Sequence, residues 1–215
     1  MLALHCQAIL FDLDGTLVES NSFIERLWQD WGRQHGIAPQ YMSEVMHGRR
    51  AREIIHIVAP HLPIKEEAYA METAEISNME GMQAYRGARG LLDTLPRKQW
   101  AIVTSGTLRV ASARLNYAKL PTPEVFITAD DVKAGKPAPD GYLLAAKRLN
   151  VSPADCVVVE DAPAGIQAGK AAGMKVIGIA SSLQKETLSQ ADIVVREFAD
   201  IKLQFTGNQL AIRFK

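Results

Sequence analysis

A-L-H-C-Q-A-I-L-F-D-L-D-G-T, residues 3–16, joins a run nearly free of breakers to an acidic loop that contains a glycine. The run predicts a central strand over 3–11, and D-L-D-G-T predicts a loop at its C-terminal end. Outward from it lie W-A-I-V-T from Trp100, V-F-I-T from Val125, C-V-V-V-E-D from Cys156 and K-V-I-G-I-A from Lys175, all short and almost continuously apolar. Strands of that composition belong to a sheet covered on both faces. Helical segments are predicted between them over 107–116, 141–149 and 162–172. Strand followed by helix, repeated, predicts an α/β fold: a mostly parallel, Rossmann-like sheet flanked by helices. Each polar cluster directly follows a strand, where open sheets of this class bind ligands.

Residues 20–82 read differently. Phe23, Leu27 and Trp31 recur at four-residue spacing beside Ile24 and Trp28, the pattern of an amphipathic helix. Further helical stretches fall around 51–58 and 66–79, and no strand is expected. This predicts an inserted alpha-helical cap over 19–83, and a catalytic core built from 1–18 and 84–215, with the two crossings of the chain as hinges. In the tail, A-D-I-V-V-R and Q-L-A-I-R-F predict edge or terminal strands.

Equal numbers of basic and acidic residues, 24 of each, leave no overall electrostatic footprint for nucleic acid or an anionic membrane. No apolar run has the length of a membrane span. Cys6 and Cys156 sit among strand-like residues and read as small buried hydrophobes, too few for a disulfide scaffold. These features lead to the expectation of a cytoplasmic protein.

The chemistry lies in the loops. Asp12 and Asp14 stand two positions apart at a strand end, and such a pair needs a cation or a proton to offset its charge. Mg2+ suits it because it prefers oxygen ligands and leaves room for waters and a phosphate. A carboxylate with a free oxygen can then attack phosphorus. Thr104 and Ser105, after W-A-I-V-T, offer hydroxyls and backbone N–H groups to a phosphoryl oxygen, or cap the following helix. Lys136 lies in a loop stiffened by glycine and prolines, and a fixed ammonium there would offset the charge of nucleophile and phosphate; Lys133 reads as a solubilising lysine. Glu160 and Asp161 follow four apolar strand residues, which suits a metal site closing against Asp12 and Asp14. Asp161 is the expected direct ligand, and Glu160 acts directly or through water.

These clusters, D-L-D-G-T at 12–16, T-S at 104–105, K-P at 136–137 and E-D at 160–161, together resemble the motifs of the haloacid dehalogenase-like hydrolase superfamily over nearly the whole chain. The helical insertion is similar to the small cap of its phosphatase and phosphomutase branch, and E-D-A-P-A-G, T-S-G and G-K-P-A-P-D resemble bacterial sugar phosphatases. The resemblance implies Asp12 as nucleophile and Asp14 as the acid that protonates the leaving alcohol and then activates water. It implies Thr104, Ser105, Gly106 and Lys136 around the phosphate, and Mg2+ held by Asp12, Asp161 and the backbone carbonyl of Asp14. The expected function is release of phosphate from small sugar phosphates; the sequence does not decide between monomer and dimer, and a monomer is favoured. The rivals are a beta-phosphoglucomutase-like phosphomutase and a catalytically silent phosphate-binding protein.

In the cap, Glu19, His47, Arg49 and Arg52 are the candidate substrate-binding residues. Their alternatives are a hinge acid for Glu19, a local cap or packing role for His47, and exposed helix positions for the arginines. Trp28 and Trp31 read as cap core, and His35, His56 and His61 lack the spacing of a zinc site.

Overall fold

The computed structural model describes residues 3–181, 185–207 and 209–214. Its centre is a six-stranded, all-parallel sheet of β2 (Ala8–Phe11), β5 (Trp100–Val103), β6 (Val125–Ile127), β7 (Cys156–Glu160), β8 (Lys175–Ile179) and β9 (Ile193–Val195), in the order β6-β5-β2-β7-β8-β9. Apart from Lys175 and Glu160 at strand ends, the strands are continuously apolar because successive side chains enter different cores. Ile9, Phe11, Trp100, Ile102, Val157 and Val159 pack on one face against α5 (Ala88–Thr94) and α6 (Leu108–Tyr117), through Leu92, Ala111 and Leu115. Ala8, Leu10, Ala101, Val103, Cys156 and Val158 pack on the other against α7 (Asp140–Leu149) and α8 (Pro163–Ala171), through Tyr142, Ala145, Ile166 and Ala168. Each fully buried Ile, Leu or Phe contributes about 1.5–3 kcal/mol of transfer free energy.

The run 3–11 is not one strand. It breaks at Gln7, whose backbone N–H and side-chain amide donate to the carbonyl and carboxylate of Asp155 at 2.7 and 3.0 Å. The residues before the break form β1 (Ala3–Cys6), which leaves the parallel sheet and pairs antiparallel with β11 (Gln209–Phe214). Together with β10 (Ile201–Thr206), which the sequence did not announce, these make a three-stranded sheet ordered β1-β11-β10. Q-L-A-I-R-F, the last strand in chain order, is therefore the middle strand of a second sheet, while A-D-I-V-V-R supplies β9 at the edge of the first. Both cysteines are buried and free, and burial pushes each thiol up to about 12, so they pack as apolar side chains.

The insertion folds as α1 (Asn21–Gln34), α2 (Pro39–Met46), α3 (Ala51–Val58) and α4 (Ile64–Ser77). It has its own core of Trp28, Trp31, Met42, Val45, Met46, Ile54, Ile55, Ala68 and Met71. Trp28 and Trp31 meet edge to face at 5.6 Å, and the Trp31 indole donates to Glu67 at 2.9 Å, as core rather than as free platforms. α2 and α5 were missed because both are short: Ala38-Pro39-Gln40 reads as a loop, and Gly87 and Gly90 depress the helical signal. The two crossings pair with each other. β3 (Val18–Glu19) and β4 (Gln83–Ala84) form an antiparallel ladder, closed by a 2.8 Å hydrogen bond from Gln83 Nε2 to Glu19 Oε2. No helix among the described residues is long and apolar enough to cross a membrane.

Candidate active site

The parallel register aligns the C-terminal ends of β2, β5 and β7, so three loops that lie far apart in sequence open at one edge. Asp12 continues β2 and donates its N–H to Val159 of β7 at 3.0 Å, which fixes its backbone beside the following acids. Lys136 reaches the same point from the loop before α7 and is buried. Its Nζ donates to Asp12 Oδ1 at 2.5 Å, Glu160 Oε1 at 2.6 Å and the Val103 carbonyl at 3.1 Å. The ammonium also lies 5.3 Å from the centre of the Tyr142 ring, whose hydroxyl donates to Glu160 Oε1 at 2.9 Å. Glu160 Oε2 accepts from the backbone of Asp161 and Ala162, both at 3.1 Å.

Two glycines make room for this. A Cβ at Gly165 would lie 1.6 Å from Glu160 Oε1, so only glycine lets the carboxylate lie against α8. Gly15 adopts φ +84°, and a Cβ there would lie 2.0 Å from Asp161 Oδ2. Asp161 in turn accepts from Asn21 Nδ2 at 2.9 Å and Thr16 Oγ1 at 3.3 Å.

Asp12, Glu160 and Asp161 each offer an oxygen within 4.8 Å of the others, and all three are buried. Lys136 is the ammonium set against them. Three carboxylates and one ammonium carry a formal charge of minus two, which is the charge a divalent ion would neutralise. The effect appears at Asp12, whose carboxyl is driven well above the usual range, first by burial and then by Glu160 and Asp161, against the pull of Lys136. Burial works against the charged form of Lys136 too, but Asp12 and Glu160 outweigh it and hold the ammonium well above its usual range. An all-oxygen donor set with a charge deficit fits Mg2+.

Asp14 faces the other way. Its Oδ1 accepts from Ser20 Oγ at 2.6 Å and its Oδ2 from Arg114 NH1 at 2.5 Å, so its side chain is not among the clustered oxygens. The expected contribution of Asp14 to a metal site is its backbone carbonyl, which this placement of the side chain leaves open. Arg114 NH2 donates to Glu75 Oε2 at 2.7 Å. Burial raises Glu75 from 4.5 to about 7, with Arg114 opposing and Asp14 and Glu72 adding. Arg114 is likewise opposed by burial, yet two carboxylates on one guanidinium carry it above its usual value. Glu75, by contrast, shares its single cation with Asp14.

Thr104 is buried, and its Oγ1 accepts the Gly106 N–H at 3.1 Å, which shapes the 104–106 turn. Ser105 Oγ donates to the Gly48 carbonyl in the insertion at 2.7 Å, a use that sequence reading did not foresee. These groups border a cavity of about 320 Å³ between the strand ends and the insertion, lined by Asp12, Asp14, Thr104, Ser105, Gly106 and Asp161 from below and by His47, Arg49 and Arg52 from above. Burial lowers His47 below 6.5, with Glu25 partly opposing. Arg49 NH1 is turned back onto the Val45 carbonyl at 2.7 Å, and Arg52 is largely exposed. Glu19 lies outside the lining, exposed on the β3–β4 ladder, in the place of a hinge acid. Lys133 is exposed but borders the cavity, and its carbonyl accepts from Arg50 at 3.1 Å. Asn21, Ser20, Glu75, Arg114 and Tyr142 are site neighbours missed from sequence, because none belongs to a strand-end cluster.

The haloacid dehalogenase-like hydrolase family model matches residues 6–173. The chain belongs to the haloacid dehalogenase-like hydrolases. It is 44% identical over 203 residues to hexitol phosphatase A of Escherichia coli (strain K12), covering 92% of this chain and 94% of that one. It is 37% identical to glycerol-1-phosphate phosphohydrolase 1 of Saccharomyces cerevisiae, covering 94% and 86%. Among solved structures it is similar to CbbY from Rhodobacter sphaeroides in complex with phosphate, at TM-score 0.78 and 26% identity, covering 91% and 96%. Phosphatases of this hydrolase family use Mg2+, in keeping with the buried acidic cluster.

Proposed function

We propose that this hydrolase releases phosphate from small sugar and polyol phosphates, with Asp12 as the nucleophile. The observation that carries the reading is the contact of Lys136 with Asp12 Oδ1 beside Asp161, beneath a cavity of about 320 Å³. The curated relatives named for hexitol and glycerol-1-phosphate substrates support the substrate class.

Lys136 holds Oδ1, and Oδ2 accepts no hydrogen bond among the described residues, so Oδ2 is the oxygen that attacks phosphorus. The Asp12–phosphorus bond forms as the ester bond breaks. Lys136 stays in place through the transfer and offsets charge without reorganising. Thr104 and the N–H groups of 105 and 106 receive phosphoryl oxygens. Asp14 gives its proton to the departing alcohol and then takes one from the water that cleaves the aspartyl phosphate. Asp12, Asp161 and the Asp14 carbonyl, with Glu160 direct or through water, would hold Mg2+, which would supply positive charge for the phosphoryl oxygens. Glu160 otherwise fixes Lys136. His47, Arg49 and Arg52 would meet the sugar or polyol end of the substrate, and the insertion over 19–83 acts as a cap that keeps out bulk water. All of these residues come from one chain, so a monomer suffices. Two reduced buried thiols suit a cytoplasmic enzyme.

A panel of phosphate esters tests this, with free phosphate and the remaining organic product both identified. Compact polyol and sugar phosphates should be turned over well and phosphoproteins hardly at all. An isomerised sugar phosphate with little free phosphate would show a mutase, and binding without turnover would show a silent protein.

A further inference from the structure

Both oxygens of Asp14 are held by groups tied to the insertion. Ser20, which takes Oδ1 at 2.6 Å, is the buried residue immediately before α1. Arg114, which takes Oδ2 at 2.5 Å, is itself gripped by Glu75 of α4 at 2.7 Å. Arg114 is 4% exposed although it stands on a core helix, and Glu75 is 8% exposed although it stands on a cap helix. A buried guanidinium between two carboxylates from different parts of the chain is costly to assemble, and as a mere strut it would be outdone by apolar packing. All three side chains border the cavity, and among the described residues Arg114 Nε has no hydrogen-bond partner.

We propose that Arg114 is a positioning residue that aims Asp14 at the leaving-group oxygen, and that Glu75 anchors Arg114 from the cap, so that Asp14 is aligned only when α4 is seated. This rests on the reading of Asp14 as the proton donor. In the step concerned, the bond from phosphorus to the ester oxygen breaks, its electron pair stays on that oxygen, and the oxygen takes the proton of Asp14 while Asp12 bonds to phosphorus. Misaiming Asp14 slows that step only when the leaving group needs a proton.

The test compares kcat/KM on glycerol 1-phosphate, whose alcohol is a poor leaving group, with p-nitrophenyl phosphate, whose phenolate leaves unprotonated. The proteins are the wild type and the variants Asp14→Asn, Arg114→Met, Arg114→Lys and Glu75→Gln. Arg114→Met should lose about 30-fold or more on glycerol 1-phosphate and less than about threefold on p-nitrophenyl phosphate. Glu75→Gln should lose about five- to tenfold with the same selectivity, and Arg114→Lys should recover part of the loss. Equal losses on both substrates would reduce Arg114 to a structural strut and overturn the proposal. Should Arg114→Met fail to fold, the nearly isosteric Glu75→Gln decides: an unselective loss, or no loss, overturns it. Asp14→Asn separates the two readings. If it fails to discriminate between the substrates, the proton-donor reading itself is wrong; if it discriminates and the Arg114 and Glu75 variants do not, only the positioning role is lost.

Discussion

The floor and the roof of the cavity are built on different principles. On the floor, Asp12, Lys136, Glu160 and Asp161 leave the ends of buried parallel strands or a proline-bound loop, and the carboxylates and ammonium interlock at hydrogen-bonding distance. On the roof, His47, Arg49 and Arg52 lie at a helix end, in a turn and on an exposed helix face, and Arg49 bonds back to the Val45 carbonyl four residues before it. On the proposed reading, chemistry that is the same for every phosphate ester is fixed by the sheet, and recognition of the variable part is left to the less constrained groups above it. A fixed floor makes the cost of disturbing it large and a loose roof makes it small, which orders the experiments.

Asp12→Asn should sever the comparison at its strongest point, lowering kcat by about 10³-fold or more while the circular dichroism spectrum stays unchanged. Rapid turnover by that variant would mean another nucleophile. Chelation of divalent ions should cost about 10²-fold and be reversed by added Mg2+, read as phosphate release before and after dialysis. Gly165→Ala drives a methyl group into Glu160 and displaces Lys136 without touching a reacting atom, so kcat should fall by about 10- to 100-fold. Unchanged kcat there would show that the floor tolerates movement. On the roof, Arg52→Ala should raise KM by less than about tenfold on sugar phosphates with kcat nearly constant. A collapse of kcat instead would place Arg52 with the floor.

The smallest effect concerns Glu75, where floor and roof meet, with Arg114, Asp14 and Glu72 around it. Because the folded protein raises this carboxyl from 4.5 to about 7, the folded state holds the proton more tightly than the unfolded chain between those values. Its contribution is therefore most favourable below pH 4.5 and is lost as pH rises to about 7, by on the order of 1–3 kcal/mol. Glu75→Gln should flatten that part of the stability profile in urea melts taken between pH 4.5 and pH 7.5, and an unaltered slope would remove Glu75 as its source.

The floor was readable from sequence because strand ends and acidic loops coincide: A-I-L-F-D and C-V-V-V-E-D each announce a buried strand and its terminal carboxylate together. The parallel order followed from apolar runs without alternation, and the Thr104 turn from its position after Trp100–Val103. Arg114 and Glu75 were not readable, since each is one charged residue on a helix, indistinguishable from a solvated position until α4 and α6 are packed together. The break at Gln7 was hidden for a related reason. A polar residue in an apolar run is ordinary, and only its bonds to Asp155, 148 positions away, show that the chain changes sheets there. The pairing of Glu19 on the β3–β4 ladder was not readable because its partner, Gln83, comes from the far end of the insertion.

The ladder formed by Val18–Glu19 and Gln83–Ala84 bears on how the roof can travel. Two independent tethers would let the four helices drift and twist over the strand ends, and much of that freedom would have to be surrendered at each turnover. Stitched side by side, the tethers instead act as one short ribbon, so the helices can tilt about a single line while keeping their azimuth. Any movement of the helices over the strand ends would then be a change of angle, with the facing surfaces already in register.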